Sequence, residues 1–272
     1  MTERPAGSIA WIAIAPVKSM ALVFLDEAHL GLAGIAGDRA FAVVDDQRRL
    51  VNGKRFGRLA TITPDYDVAT QRLRLAFSGD QIVEGTVELG EPDVSVFFGH
   101  LRAVRRVAGP WSEALSDVTG HGLSLVALDD PGNGLDRGPT ATLLSTAALG
   151  TLAHAGGQTE PLDRRRFRMT FGIDGVPAHA EDGWLDRNVR VGGAVVRPIG
   201  NVGRCAVTTH DPDTGQPSFD TVRLLQATRG NLPTTEPLPF GVWADVVWAG
   251  DVRLGDPVEP DGTGQDQKTP QP

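Results

Sequence analysis

The chain has one cysteine among its 272 residues, Cys205. That excludes an intramolecular disulfide, and it excludes any zinc or iron–sulfur site built from several thiolates. A lone thiol fits a reducing compartment, so the cytoplasm is the expected location. Long apolar runs are also missing. None approaches the about 18 residues of a membrane helix, and Met1-Thr2-Glu3-Arg4-Pro5 leads into a short apolar run with no cleavage-like site, so neither a membrane partner nor a signal peptide is expected. An excess of basic residues is absent too. The net charge of −8 argues against general binding to nucleic acid or an anionic membrane, because both need a basic surface.

Several motifs fail on spacing. Asp211-Pro212-Asp213-Thr214-Gly215 starts like a calcium loop, but its glycine falls one place early and its twelfth position is Val222, not an acid. Gly132, Gly134 and Gly138 miss the dinucleotide spacing, and there is no Gly-x-x-x-x-Gly-Lys run and no Gly-x-Ser-x-Gly elbow. The six histidines form no zinc-binding helix pattern.

Turn formers are plentiful, with 33 glycines and 19 prolines, which predicts many tight turns between short strands. Strands are predicted at Ile9–Ala15, Ala40–Val44, Arg72–Phe77, Val94–Phe98 and Leu101–Ala108. Gly192-Gly193 predicts a hairpin between Asn188–Val191 and Ala194–Ile199, and Ala249-Gly250-Asp251 another between Val242–Trp248 and Val252–Leu254. Helices are predicted at Pro110–Val118, at Ser145–Ala155 with Ser145 as its cap, and at Ser218–Arg229. The pattern is mostly β with a few short helices, with a boundary near Gly109–Pro110 or in the loop Asp129–Gly134.

Four clusters offer chemistry. Lys18-Ser19, after a strand and Pro16, sets an ammonium beside a hydroxyl and suits a phosphate; a solvated turn lysine would look the same. Asp38-Arg39 offers a second cation, or an ordinary ion pair. Arg164-Arg165-Arg166-Phe167-Arg168, on a strand, would send Arg164, Arg166 and Arg168 to one face as anion ligands, or would be a charged surface. Cys205 is either a small buried hydrophobe or a thiolate favoured by nearby positive charge such as Arg204, on a strand that Val207-Thr208-Thr209 continues.

In this order, the clusters resemble the MOSC family with its N-terminal β-barrel domain, including the amidoxime-reducing components and the bacterial hydroxylaminopurine-resistance proteins. The most specific stretch is Arg204-Cys205-Ala206-Val207-Thr208-Thr209-His210-Asp211-Pro212-Asp213-Thr214-Gly215, similar to the family's Arg-Cys-x-x-Thr-Thr-x-Asp-Pro-Asp-Thr-Gly. Pro16-Val17-Lys18-Ser19, Asp38-Arg39, Phe167-Arg168, Glu181-Asp182-Gly183-Trp184 and Val252–Asp256 match in order. Departures are Met169-Thr170 where the family has Pro-Asn after Arg168, Lys54 where arginine is common, Gly203 two before the cysteine, and Met20-Ala21.

The resemblance implies a mostly β fold: an N-terminal β-barrel domain over 1–109, a MOSC β-barrel domain over 110–259, and a disordered tail over 260–272. It implies a molybdenum–molybdopterin cofactor with Cys205 as the metal ligand. Cofactor contacts fall on Lys18, Ser19, Arg39, Ser145, Thr146, Arg168, Thr170 and Arg204. The implied activity is reduction of small N-hydroxylated compounds, amidoximes or hydroxylaminopurines. Electrons would come from a flavin or iron–sulfur donor protein, because the chain carries no redox centre of its own beyond that cofactor. Glu181 and Asp182 are the acids nearest this chemistry in the motif. A sulfur carrier holding a persulfide on Cys205, and a non-catalytic barrel with the cysteine buried, are the other expectations.

Overall fold

A computed structural model describes residues 7–129 and 141–261. The tail expected to be disordered lies almost wholly outside the described residues, as do Gly132, Gly134 and Gly138.

The fold is mostly β. Seven strands close into a barrel in the order Phe171–Asp174, Ala141–Ser145, Pro239–Trp248, Ala194–Gly203, Val189–Val191, Pro257–Pro260 and Gly7–Ile14, the last pairing back to the first. All neighbours are antiparallel except Ala141–Ser145 beside Phe171–Asp174. Strand Gly7–Ile14 is buried on both faces. A register shift between Ile9 and Trp11 lets Ile9 and Ile12 fill the barrel with Phe171, Val189 and Val242, while Trp11 points outward. Trp11 there meets Leu149, Leu152, Leu224, Leu225 and Phe240, the core under helices α2 (Thr146–Ala155) and α3 (Thr221–Arg229).

A second core belongs to a five-stranded sheet of Glu88–Phe97, His100–Ala108, Leu123–Leu128, Phe41–Asp45 and Leu50–Val51, and to the three-stranded sheet Thr63–Asp67, Arg72–Ala76, Ile82–Thr86. Phe41, Val43, Leu73, Leu75 and Leu125 pack there against Trp111 and Leu115 of α1 (Trp111–Thr119). Arg72–Ala76 alternates as its sequence predicts, with Leu73 and Leu75 fully buried. Gly109–Pro110 does not part the sheets: α1 and Leu123–Leu128, beyond it, join the second core, and strand Gly7–Ile14, far before it, closes the barrel.

The hairpin at Gly192-Gly193 forms as predicted, Val191 opposite Ala194. The one at Ala249-Gly250-Asp251 does not. Gly250–Arg253 pairs instead with Glu27–Gly31, forming a small sheet beside the barrel. Helix α2 follows Ser145, but Ser145 does not cap it with its side chain. Its hydroxyl accepts the backbone N–H of His179 at 2.9 Å. Helix α3 starts later than predicted because Asp220 caps it, accepting the N–H of Arg223 at 3.0 Å. Among the described residues no helix is long and apolar enough to cross a membrane.

Candidate functional site

The arginine run is not a strand. Asp163 accepts the N–H of Arg165 at 2.8 Å and turns the chain into a 3-10 turn over Arg164–Phe167, with Arg168 left-handed at φ 55°. The arginines therefore diverge. Arg164 stacks on Phe24, 4.3 Å from the ring centre, and on Trp11. Arg165 pairs with Asp213 and Asp163, which together raise its pKa. Arg166 donates to the carbonyls of Thr209 and His210, and Arg168 to the carbonyl of Met20 at 2.7 Å.

The strand expected to continue through Thr209 also ends early. After Ala194–Gly203 the chain turns, with Cys205 extended at the head of a 3-10 turn, Ala206–Thr209. The carbonyl of Cys205 accepts the N–H and hydroxyl of Thr208, at 3.1 and 3.0 Å, which holds the cysteine at the mouth of that turn. Asp211 then accepts the N–H groups of Asp213 and Thr214 and closes the loop to Gly215. Arg204 is fixed by neutral acceptors alone: the carbonyls of Phe167 at 2.7 Å and Phe240 at 3.0 Å, and the sulfur of Met169.

The first cluster meets these from the other side. Asp38 accepts the N–H of Ala15 at 2.7 Å and pairs with Arg39, tying the exit of the first barrel strand to the start of strand Phe41–Asp45. Lys18 donates its N–H to the carbonyl of Phe41, and Arg39 reaches the carbonyl of Arg168 at 3.5 Å.

The result is a cavity of about 290 Å³ between the barrel and the second core. Lys18, Ser19, Arg39, Arg168, Arg204 and Cys205 all line it. Lys54, Arg165 and Arg166 bring its cations to seven, against one lining carboxylate among the described residues, Asp211. Burial holds the pKa of Arg204 down to about 9; burial first, and then the charge of Arg39, bring Arg168 to about 10. Burial also lowers Arg166, whose Nε is enclosed without a hydrogen-bond partner. Among the ten described non-glycine residues with positive φ, four line this cavity: Ser19, Arg39, Phe98 and Arg168. Such backbone is costly, and its concentration here marks a built site.

Ser145, Thr146 and Thr170 do not line the cavity. Ser145 is fully buried, Thr146 donates to Asp174 at 2.8 Å, and Thr170 donates its N–H to the hydroxyl of Thr142, which takes the place at the wall. Phe98, Asn52, Gly53, Gly57 and His210 are lining residues that the sequence did not single out. The Phe98-Gly99 turn between two strands was the one available signal for Phe98: its ring stands over the Lys18 ammonium, 5.1 Å from centre to nitrogen.

Beyond the wall, turn Ala180–Trp184 packs against the barrel strands that carry Ser145, Asn201 and Phe240. Glu181 is fully buried there, its carboxyl beside Ser145 with no well-aligned hydrogen bond, and burial lifts its pKa to about 7. Asp182 pairs with Arg229 and accepts from Asn201 at 2.9 Å. His179 touches the Phe240 ring, its Nδ1 has no partner, and burial, then Arg229, lower its pKa to about 4. Glu181 and Asp182 do not line the cavity.

Two family models match the chain: the MOSC N-terminal beta barrel domain over residues 6–106, and the MOSC domain over 139–259. Mitochondrial amidoxime-reducing component 1 of Xenopus laevis is 33% identical over 106 residues, 36% of this chain and 30% of that protein's length. The same component of Mus musculus is 25% identical over 94% of this chain and 82% of its own. Among solved structures, the YUAD protein from Bacillus subtilis aligns with a TM-score of 0.42 at 12% identity, covering 93% of each chain. With both models in chain order over most of its length, the chain belongs to the MOSC family.

Proposed function

We propose that this protein is a molybdenum-cofactor enzyme that reduces small N-hydroxylated compounds, such as amidoximes and hydroxylaminopurines, with electrons from a flavin or iron–sulfur donor protein. One observation carries the reading. The chain's single thiol opens into a cavity in which Arg204 and Arg168 have carbonyl partners and no carboxylate partner among the described residues. Unmatched guanidinium charge around a void calls for an anion, and a soft thiolate beside it suits a soft metal. A phosphate-bearing, metal-holding cofactor supplies both, so the residues present fit the group.

Lys18, Ser19, Arg39 and Arg168 would hold its anionic and polar parts, and Cys205 its metal. When bound, the group supplies two-electron chemistry able to break an N–O bond. The chain's own part is binding and orientation. Arg204, locked to two carbonyls, fixes the residue that follows it. Asp38 fixes Arg39, and the two left-handed turns aim Arg39 and Arg168 into one space. The relatives' names, amidoxime-reducing components, support the substrate class.

The test is expression in a host that makes molybdopterin, followed by molybdenum and pterin assays of wild type and Cys205→Ala. About one molybdenum per wild-type chain, lost in the variant, is the expected result. Wild type holding neither metal nor pterin sinks the proposal. A persulfide on Cys205 in metal-free protein would favour sulfur transfer instead.

A further inference from the structure

Each turnover of the proposed reductase needs electrons from another protein. Two reduced donor centres each give up one electron and are oxidised; with two protons from solvent, R–NH–OH becomes R–NH2 and water. A one-electron carrier must therefore dock, leave and be replaced within every turnover. Such encounters use small surfaces, and charge steers the partners together. The surface must also adjoin the cavity into which Cys205 opens.

One segment stands out against the net charge of −8. Five of the chain's 26 lysines and arginines fall within Arg48–Arg58, and no acid falls among them. All five, Arg48, Arg49, Lys54, Arg55 and Arg58, are exposed. Asp93 pairs with Arg48 at 2.7 Å and Asp45 with Arg55 at 2.6 Å. Arg49, Lys54 and Arg58 have no carboxylate partner among the described residues. Solvation alone could place such a run on any face of the molecule. This one is on the cavity rim. Asn52, Gly53, Lys54 and Gly57 line the cavity, and Arg49 bridges to Val96, two residues before the lining Phe98. Phe98 is half exposed, and Leu101, beyond the hairpin turn, is 71% exposed, so an apolar tip adjoins the basic strip. An apolar centre beside charged side chains is the make-up of a protein interface.

We propose that the Arg48–Arg58 strip, with the Phe98–Leu101 tip, is the docking surface for an acidic iron–sulfur donor of the ferredoxin type. A four-thiolate [2Fe–2S] cluster is net negative in both redox states, because its thiolates and sulfides outweigh its irons, so a basic surface suits the face that presents it. This rests on the reductase reading. The test compares cofactor-loaded wild type, Arg49→Gln/Arg58→Gln, and Arg190→Gln/Arg253→Gln as a control of equal charge change away from the cavity lining. Each reduces benzamidoxime with either reduced plant-type ferredoxin or reduced methyl viologen as donor. In Arg49→Gln/Arg58→Gln, kcat/KM for ferredoxin should fall about tenfold at low ionic strength, and the gap should close at high salt. Reduced methyl viologen, a small cation, should drive that variant as fast as wild type, with molybdenum and pterin content unchanged. Without turnover, oxidised ferredoxin should bind it about tenfold more weakly by calorimetry. The control should match wild type throughout. Unchanged ferredoxin rates and affinity in Arg49→Gln/Arg58→Gln, or an equal loss in the control, overturn the docking surface alone. A wild type driven by methyl viologen or a flavodoxin but not by ferredoxin overturns it too, and leaves the reductase reading standing. A wild type that carries molybdenum but reduces no N-hydroxylated compound with any donor overturns the reductase reading, and this proposal with it.

Discussion

Two regions of the molecule hold charge without a counter-charge, and they resolve it in opposite ways. Around the cavity the excess is positive: Arg168 and Arg204 rest on carbonyls, with no carboxylate partner among the described residues. Behind the barrel strands, at turn Ala180–Trp184, the poorly satisfied groups are the Glu181 carboxyl and His179 Nδ1. The cavity is open, so a ligand can supply the missing anion. At the turn Glu181 is enclosed and His179 half-buried, and they answer by changing protonation: Glu181 is pushed up to about 7 and His179 down to about 4. An unmatched charge beside a void suggests binding, whereas the same charge without one sets a pH dependence of stability.

The largest effect is expected where the cavity is pinned to the fold. Arg204→Ala leaves the buried carbonyls of Phe167 and Phe240 without their donor, at about 1–3 kcal/mol each, and loses the packing of the side chain on Phe167. A loss of about 4 kcal/mol in urea unfolding is expected. A loss under about 1 kcal/mol would mean that the guanidinium serves only the ligand.

The turn region comes next. Folded Glu181 holds its proton from its ordinary 4.5 up to about 7, so it costs stability as pH rises through that window. His179 runs the other way: kept neutral down to about 4 against an ordinary 6.5, it costs stability as pH falls through that window. Each is worth about 3 kcal/mol at the far end of its range, and between about 4.5 and 6.5 the two slopes nearly cancel. Glu181→Gln should therefore uncover a stability that climbs with pH from about 4 to 6.5. His179→Asn, which tolerates the left-handed backbone at φ 63°, should uncover one that falls from about 4.5 to 7. Thermal melting against pH in the three proteins decides it; parallel curves would break the contrast between the two regions.

Much of the cavity was legible beforehand, and the reason is local. Lys18, Ser19, Arg39, Arg168, Arg204 and Cys205 sit in short runs whose own backbone sets their direction, and all six line the one cavity. Ser145, Thr146 and Thr170 do not line it: strand Ala141–Ser145 is buried against its neighbours and turns Ser145 toward His179, a contact 34 residues away. The arginine run misled because one carboxylate, Asp163, outweighs period-two alternation. Gly57 was beyond reach, since its close approach to Gly215, where a Cβ would lie 1.9 Å from the carbonyl oxygen, exists only after the two cores meet. The second predicted hairpin failed likewise: Gly250–Arg253 found an edge at Glu27–Gly31, more than 200 residues earlier.

The smallest effect separates stability from binding on the cavity's outer wall. Phe98 and Gly99 form a two-residue hairpin turn at φ 52° and 89°, between Phe97 and His100. Both angles suit Asn-Gly, and a bulky aromatic at the first is strained. Yet Phe98 is half exposed at the mouth, and its ring covers the Lys18 ammonium, which is itself 7% exposed. Phe98→Asn should relieve the turn and raise stability by about 1 kcal/mol, read as a higher urea midpoint. The same change uncovers Lys18, letting water compete for whatever anion it holds, and should lower the molybdopterin retained through gel filtration about threefold. A gain in stability with no loss of cofactor would mean that Phe98 shields nothing. A loss of both would mean that the ring braces the second core, and that the left-handed turn is not where the strain resides.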